Sequence, residues 1–259
     1  MSVARVVFVS LLSVFTAAAC AQQPATSTYE PTVGQEGKDV VWVPTPQALV
    51  DKMLDMAKVT ANDFVMDLGS GDGRTVITAA KRGARAVGVE YNPQMVELSK
   101  RNAQKEGVTD RADFMKADLF ETDFSKATVI TMFLLPDINL KLRPKLLQLK
   151  PGTRVVSNSF TMGDWQPDET AELNTAQGCT NSWCTALLWI IPARVAGTYK
   201  TAQGEVTFKQ QYQMLSGTMR TAERTVPIEG KVRGEDITFK AGGKEYRGRL
   251  NGKQLELKS

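Results

Sequence analysis

The chain has 259 residues, 42 % of them hydrophobic and 23 % charged, with a formal net charge of +4 and no histidine. That length and apolar content suffice for one large domain or two small ones. The small charge excess argues against nucleic-acid binding by charge alone, and without histidine the cysteines fall short of a zinc ligand set.

Residues 1–21 read as a secretory signal: Arg5 precedes the apolar run 6–14, and small residues follow at 17–21. The run is too short for a stable membrane span. Cleavage after Ala21 satisfies the small-x-small rule through Ala19 and Ala21. Two alternatives stay open: lipid attachment at Cys20, for which Ala17 stands where Leu is expected, and retention of the segment as an uncleaved anchor. Export to the periplasm or medium is the expectation. Cleavage removes one basic residue and leaves a net charge of +3. Residues 22–37 are rich in Gln, Pro, Thr, Ser and Gly and are expected to be a solvated tether.

Order is expected from Val40-Val41-Trp42-Val43. Thr45 is placed as a helix N-cap with Pro46 at the first helical position, and Leu49, Val50, Met53, Leu54 and Ala57 share one helical stripe. Phe64–Leu68 is a short apolar run followed at once by Gly69, Gly71 and Gly73, a pattern for a buried strand entering a tight turn. The spacing Gly-x-Gly-x-Gly differs from the dinucleotide fingerprint, and Asp67 before the turn would repel a diphosphate, so NAD and FAD are disfavoured. A cationic ligand would welcome Asp67. The sulfonium and amino groups of S-adenosylmethionine (SAM) are cationic.

Ala86–Glu90 reads as the next parallel strand, ending in a carboxylate placed to bind ribose hydroxyls. Between the two strands a helix is expected over 75–82, with small residues Ala79 and Ala80 facing the sheet. Asn92-Pro93 starts another helix, running to about Lys105 and stopping at Gly107. Ala112–Lys116 and Ala127–Met132 are further strands. Asp118 follows the first and Phe133-Leu134-Leu135-Pro136 follows the second, at the carboxyl edge where open parallel sheets hold ligands. Asp137 is a candidate cap for the next helix, which Pro144 is expected to divide. A strand over 153–157 follows, and Gly163–Pro167 is a candidate lid or wall.

The segment Asp67–Gly73 resembles motif I of class I SAM-dependent methyltransferases. With Val43-Pro44-Thr45-Pro46 and Phe133–Pro136, the chain is most similar to the protein-lysine methyltransferases that include the ATP synthase c-subunit lysine methyltransferase and their bacterial relatives. The resemblance covers about residues 40–168 and leaves out the C-terminal third. It implies that Thr45, Asp67, Gly69, Ser70, Gly71, Gly73, Glu90 and Asp118 contact SAM. Thr45 would cover the methionine end, Asp67 the amino group, Glu90 the ribose and Asp118 the adenine. Phe133 and Pro136 are candidates for positioning the acceptor. Asp118 as a turn or capping residue is the alternative.

Cys179 and Cys184, the pair left after signal cleavage, suit a local disulfide in an oxidising compartment, with two buried thiols as the alternative. Ala186–Ile191 is expected to be the antiparallel strand that completes the sheet. Beyond Pro192 the pattern changes to short alternating runs at 197–201, 205–212, 213–218, 227–232, 236–240, 245–250 and 254–257, the signature of an antiparallel meander or small barrel. Gly217, Gly230 and Gly248 inside these runs are expected to mark bulges or bends. Residues 195–259 hold 12 Lys or Arg against 7 Asp or Glu, a net of +5, which solvated strand faces or docking to an acidic envelope partner or membrane surface would use.

The expected organisation is a signal at 1–21, a linker at 22–37, an α/β, doubly wound Rossmann-like methyltransferase domain at 38–193 and a β-rich module at 194–259. The expected activity is methyl transfer from SAM to a protein lysine amine. A small-molecule methyltransferase and a non-catalytic exported binding protein are the alternatives, and neither a metal nor nucleic acid is called for.

Overall fold

The computed structural model describes Met1 and residues 29–258. The expected signal beyond Met1, its cleavage position, Cys20 and residues 22–28 of the expected linker lie outside the described residues. Residues 29–37 are no tether. Gly34 and Trp42 pair through backbone, the Gln35 carbonyl accepts from Trp42 N–H, and the Gln35 side chain donates to the Tyr29 hydroxyl at 2.6 Å. Polar composition predicts solvation only where backbone groups find no protein partner, and here they find one.

Helix α1 spans Gln47–Met56 and buries Leu49, Val50, Met53 and Leu54. Its N-cap is Pro46, extended at ψ 139°, whose carbonyl accepts from Leu49 and Val50. Thr45 is therefore not the cap; its hydroxyl accepts from Asn158 Nδ2 at 3.3 Å.

The chain then alternates strand and helix: β1 (Phe64–Leu68), α2 (Arg74–Lys81), β2 (Arg85–Glu90), α3 (Pro93–Lys105), β3 (Ala112–Lys116), β4 (Val129–Met132), α4 (Pro136–Leu146) and β5 (Arg154–Asn158). Strands β1–β5 are mutually parallel where they pair. Asn92 caps α3 by accepting from Gln94 N–H at 2.9 Å, with Pro93 in the first turn. Helix α4 begins at Pro136, with Leu135 as cap and Asp137 in the first turn. Pro136 presets the helical φ, which moves the start ahead of Asp137. The helix also runs unbroken through Pro144, held by its buried face of Ile138, Asn139, Leu142 and Leu146.

Two antiparallel strands close the sheet, β7 (Thr185–Ile190) beside β5 and the short β6 (Glu169–Glu172) at the edge, giving the order β3-β2-β1-β4-β5-β7-β6. One apolar layer beneath α1, α2 and α3 and another beneath α4 cover the two faces. At the foot of β1 the buried Asp63 pairs with Arg154, which also donates to the Ala57 carbonyl and so ties α1 to β1 and β5. The crevice outside the carboxyl ends of β1 and β4, where strand order reverses, is where such sheets bind ligands.

A second seven-stranded sheet is a meander of consecutive hairpins: β8 (Gly197–Thr201), β9 (Gly204–Gln211), β10 (Met214–Arg220), β11 (Thr225–Arg233), β12 (Asp236–Ala241), β13 (Lys244–Asn251) and β14 (Gln254–Lys258). It curls until β14 lies against β8, nearly closing a barrel around Phe208, Phe239, Val206, Ile228, Ile237 and Leu255. Gly217, Gly230 and Gly248 sit in uninterrupted register, so they mark no bulge. They serve the bend and curl that the sequence also led one to expect: a Cβ on Gly217 would lie 1.9 Å from the Thr207 carbonyl oxygen, and one on Gly230 2.3 Å from that of Thr238.

The barrel is clasped to the first sheet. The Tyr212 ring stacks on Trp165 with centroids 5.8 Å apart, its hydroxyl donates to Asp164 at 3.0 Å, and Gln213 Nε2 donates to the Gln166 carbonyl at 2.7 Å. Arg233 pairs with Glu169 across the same seam. Gly163–Pro167 is thus neither lid nor pocket wall, because Trp165 is fully buried in the core and anchors this clasp. Among the described residues no helix is long and apolar enough to cross a membrane.

Candidate cofactor and acceptor site

Three left-handed glycines shape the turn after β1, at φ 79°, 53° and 83° for Gly69, Gly71 and Gly73. Asp72 fixes it by accepting from the Arg74 guanidinium, whose other arm donates to the Thr45 carbonyl at 2.9 Å. The turn and the Pro44-Thr45-Pro46 segment therefore form one rim. Above it opens a cavity of about 480 Å³, within the range of roughly 300–1,000 Å³ usual for small-ligand sites.

Of the residues expected at the cofactor, Thr45, Asp67, Gly69, Ser70, Gly71, Glu90 and Asp118 line this cavity, as does Phe133. Gly73 and Pro136 do not. Gly73 is required by packing, since a Cβ there would lie 2.7 Å from the Phe114 ring and 2.8 Å from Ser99. Pro136 is spent on starting α4, and its neighbour Leu135 reaches the cavity in its place.

The carboxylates are held for different tasks. Asp67 is buried at the end of β1 and accepts from the Thr131 hydroxyl at 2.6 Å. Burial, reinforced by the negative charges of Asp72 and Glu90 and opposed by the Thr131 bond, pushes its pKa up to about 7. A carboxyl in that condition gains most from a cation placed beside it. Glu90, at the end of β2, accepts from Gly71 N–H at 3.0 Å on one oxygen and Asn92 N–H at 2.9 Å on the other, which fixes its orientation and leaves lone pairs free. Ser70 lines the cavity, but its Oγ is buried without a hydrogen-bond partner on the core side of the turn, 2.5 Å from where a Gly88 Cβ would stand, so its backbone and not its hydroxyl faces a ligand. Close backbone approach and three carboxylates fit a cationic nucleoside such as SAM.

Sequence reasoning missed part of the lining. Lys38 donates to Asp118 and lies 4.8 Å over the Tyr91 ring. The Lys38 bond, with Phe120 N–H, holds the Asp118 carboxyl below its ordinary range. Trp42 packs on the turn, its Nε1 2.7 Å from where a Gly71 Cβ would stand. At the other end Phe133 stacks on Phe160 and meets Trp183 edge-on, with centroids 5.9 and 6.0 Å apart. Phe160 was findable, because it follows β5 at the same carboxyl edge as Phe133. Trp183 carried no signal beyond its place between Cys179 and Cys184, which form a disulfide.

A nucleotide-sized crevice at the switch point of this sheet, with an acidic strand end before a glycine turn and a carboxylate after the next strand, defines a class I SAM-dependent methyltransferase. Comparisons agree: the ANTKMT methyltransferase domain matches residues 67–169. A protein-lysine N-methyltransferase of Saccharolobus islandicus (strain REY15A) is 52 % identical over 133 residues, 50 % of this chain and 83 % of that protein. The chain belongs to that family of protein-lysine N-methyltransferases. The human ATP synthase c-subunit lysine N-methyltransferase is 36 % identical over 143 residues, 55 % of this chain and 59 % of that protein. A solved RNA methyltransferase from Salinibacter ruber in complex with S-adenosyl-L-homocysteine is 49 % identical at TM-score 0.54, covering 59 % of this chain and 96 % of its own. The matched domain ends before the second sheet begins.

Proposed function

We propose that the chain transfers a methyl group from SAM to the ε-amine of a protein lysine. The observation that carries this is the acceptor end of the cavity, an aromatic and aliphatic mouth of Phe133, Leu134, Leu135, Phe160 and Trp183 with no carboxylate of its own. Such a mouth admits a long apolar stem and strips water from its amine, which favours the neutral, nucleophilic form. Residues 38–193 carry 18 Lys or Arg against 19 Asp or Glu. That balance speaks against a polyanionic RNA acceptor, although one relative's name describes an RNA methyltransferase. The names of the archaeal and human relatives support a lysine.

When bound, SAM supplies a methyl group on positively charged sulfur, which an amine displaces in line to leave a neutral thioether. Asp67 would hold its ammonium, Glu90 its ribose hydroxyls, the backbone of Gly69, Ser70 and Gly71 would admit its close approach, and Asp118 would hold its adenine amine once Lys38 yields. Phe133 would align the acceptor. Alignment in a dry mouth is what such a displacement needs most, and no histidine is required.

We also propose export, for which the pattern of residues 1–21 and the Cys179–Cys184 disulfide are the support. The deciding experiment for the activity incubates the purified protein and methyl-labelled SAM with cell-envelope and soluble extracts, then hydrolyses the products. Label in methyllysine supports the reading. Label confined to RNA or small molecules would overturn it.

A further inference from the structure

We propose that Trp183 is an acceptor-binding residue, and that with Phe133 and Phe160 it forms an aromatic mouth selecting a cationic, progressively methylated amine, held in place by the Cys179–Cys184 disulfide. The proposal rests on the lysine reading above and specifies how that site recognises its acceptor.

All three rings line the cavity and all three are only half-buried. None belongs to either apolar layer of the sheet. Phe133 stacks on Phe160 and meets Trp183 edge-on, and the ring surface that these contacts leave uncovered faces the cavity, where aromatic faces attract cations. Each arrives by a separate device. Phe133 follows β4 directly. Phe160 is swung into place by Ser159, a non-glycine residue at φ 57°, a conformation that the surrounding structure must hold. Trp183 sits on a loop with no helix or strand, between two cysteines five residues apart.

Both ends of that loop pack against the layer beneath α1, Cys179 buried in it and Cys184 partly buried against it, and the Cys184 carbonyl accepts from Leu173 N–H at 2.9 Å. Inside it Asn181 Oδ1 accepts from Trp183 N–H at 3.0 Å. With the disulfide intact the loop has few conformations to explore, and Trp183 stays edge-on to Phe133. With the bond reduced, the loop regains freedom and the third wall of the mouth loosens.

The chemistry follows from the missing carboxylate. An unmethylated ammonium keeps strong hydration and gains little here, so it enters most readily after losing its proton. Each added methyl weakens hydration while the charge remains, so ring faces hold the methylated cations better than the parent amine. The mouth therefore holds partly methylated lysine at the site as a cation, and any further transfer requires that cation first to release its N–H proton to water, which restores the lone pair that attacks the methyl group.

The test uses the purified protein saturated with S-adenosyl-L-homocysteine and two probes, Nα-acetyl-Nε-trimethyllysine methyl ester and its uncharged carbon isostere, titrated by NMR. The cation is expected to bind at least fivefold more tightly than the isostere. Trp183→Ala should bring that ratio near one, and Trp183→Phe should restore most of it. Reduction of the disulfide, or the Cys179→Ser/Cys184→Ser pair, should weaken cation binding severalfold with the affinity for S-adenosyl-L-homocysteine unchanged within twofold. That last readout also reports whether each variant is folded. Equal affinities for the two probes, or an unchanged ratio in Trp183→Ala, would overturn the mouth. An unchanged ratio on reduction would overturn the disulfide's part. If wild-type protein makes no methyllysine yet prefers the cation, the lysine reading fails and the cation site stands. If methyllysine forms equally well with Trp183→Ala, the reverse holds.

Discussion

The two seven-stranded sheets differ in what they bury. The first buries Asp63, Asp67, Ser70, Ser99, Thr131, Asn139, Ser157 and Asn158, several of them at the cavity or one bond away from it. The barrel buries one polar side chain among the described residues, Gln213, and that one reaches across the seam to Gln166. Buried polar groups cost stability unless they are satisfied, so a fold tolerates them where they do something else. The barrel interior is packing alone, whereas the first sheet carries at the cavity a buried carboxyl, Asp67, held by the Thr131 hydroxyl. Position in the sheet, then, separates a scaffold from a site more reliably than size or composition.

The largest expected effect tests whether the barrel is only packing. Phe239 is 1 % exposed, edge-on to Phe208 at 5.2 Å and stacked on Tyr246 at 5.1 Å. Phe239→Ala should cost about 3–5 kcal/mol through lost burial and a residual cavity. Scanning calorimetry should then show the barrel melting ahead of the first sheet, with SAM affinity unchanged. A tenfold loss of SAM affinity would erase the distinction between the two regions.

Next comes the buried charge. Asp67 binds its proton up to about pH 7 in the folded chain, against an ordinary 3.8. The folded state therefore holds more protons than the unfolded chain between those values, and stability falls as pH rises through that window, by up to about 4 kcal/mol. Asp67→Asn should flatten this fall and stabilise the ligand-free protein at pH 8. The same variant should bind SAM about 10–100-fold more weakly, a loss of about 1.4–2.8 kcal/mol. In the wild type, SAM affinity should climb from pH 5 to pH 7 as the carboxylate becomes available to a cation. Calorimetric titration across that range checks both signs, and a flat profile would take Asp67 out of contact with the cofactor.

A smaller loss is expected at Glu90. Glu90→Ala removes the acceptor from Gly71 N–H and Asn92 N–H as well as from a ligand. Stranding such groups costs about 1–3 kcal/mol. Binding should weaken accordingly, while Glu90→Gln, which keeps one acceptor oxygen, should recover part of it. Equal affinities for wild type and Glu90→Ala would remove the ribose role.

Much of this was legible in the chain. Period-two alternation and turn residues marked all seven barrel strands, since a half-solvated antiparallel sheet must alternate. The glycine turn, Glu90 and the helix beginning at Asn92-Pro93 were equally plain, because each demands a particular residue from its backbone. The rest depended on tertiary partners. Edge strand β6 is Glu-Thr-Ala-Glu, whose polar sequence gives no strand signal and which forms because β7 offers a free edge. Lys38, the first residue of the expected domain, carried no local signal until its charge met Asp118. Trp183 and Trp165 look alike in sequence, yet one lines the cavity and the other is sealed in the core. Contacts that join distant segments leave no local pattern to read.

The seam sharpens the comparison with the smallest effect. Tyr212 keeps its ring on Trp165 and on the Arg143 guanidinium, 5.4 Å away, while its hydroxyl donates to Asp164. Tyr212→Phe removes the hydroxyl and leaves the stack. Because Asp164 is solvent-exposed and also paired with Arg143, water can replace the lost donor, and the melting temperature should fall by no more than about 3 °C. Tyr212→Ala removes the ring as well and should separate the two melting transitions further. Neither substitution relieves the backbone, since residue 212 turns the β9–β10 hairpin at φ 52°. Tyr212→Gly distinguishes that strain from the stack: it loses the ring but removes the backbone penalty, so it should be more stable than Tyr212→Ala by about 0.5–1 kcal/mol. If Phe and Ala variants melt alike, the stack holds nothing together, and the ion pair of Arg233 with Glu169 and the Gln213 bond must carry the seam.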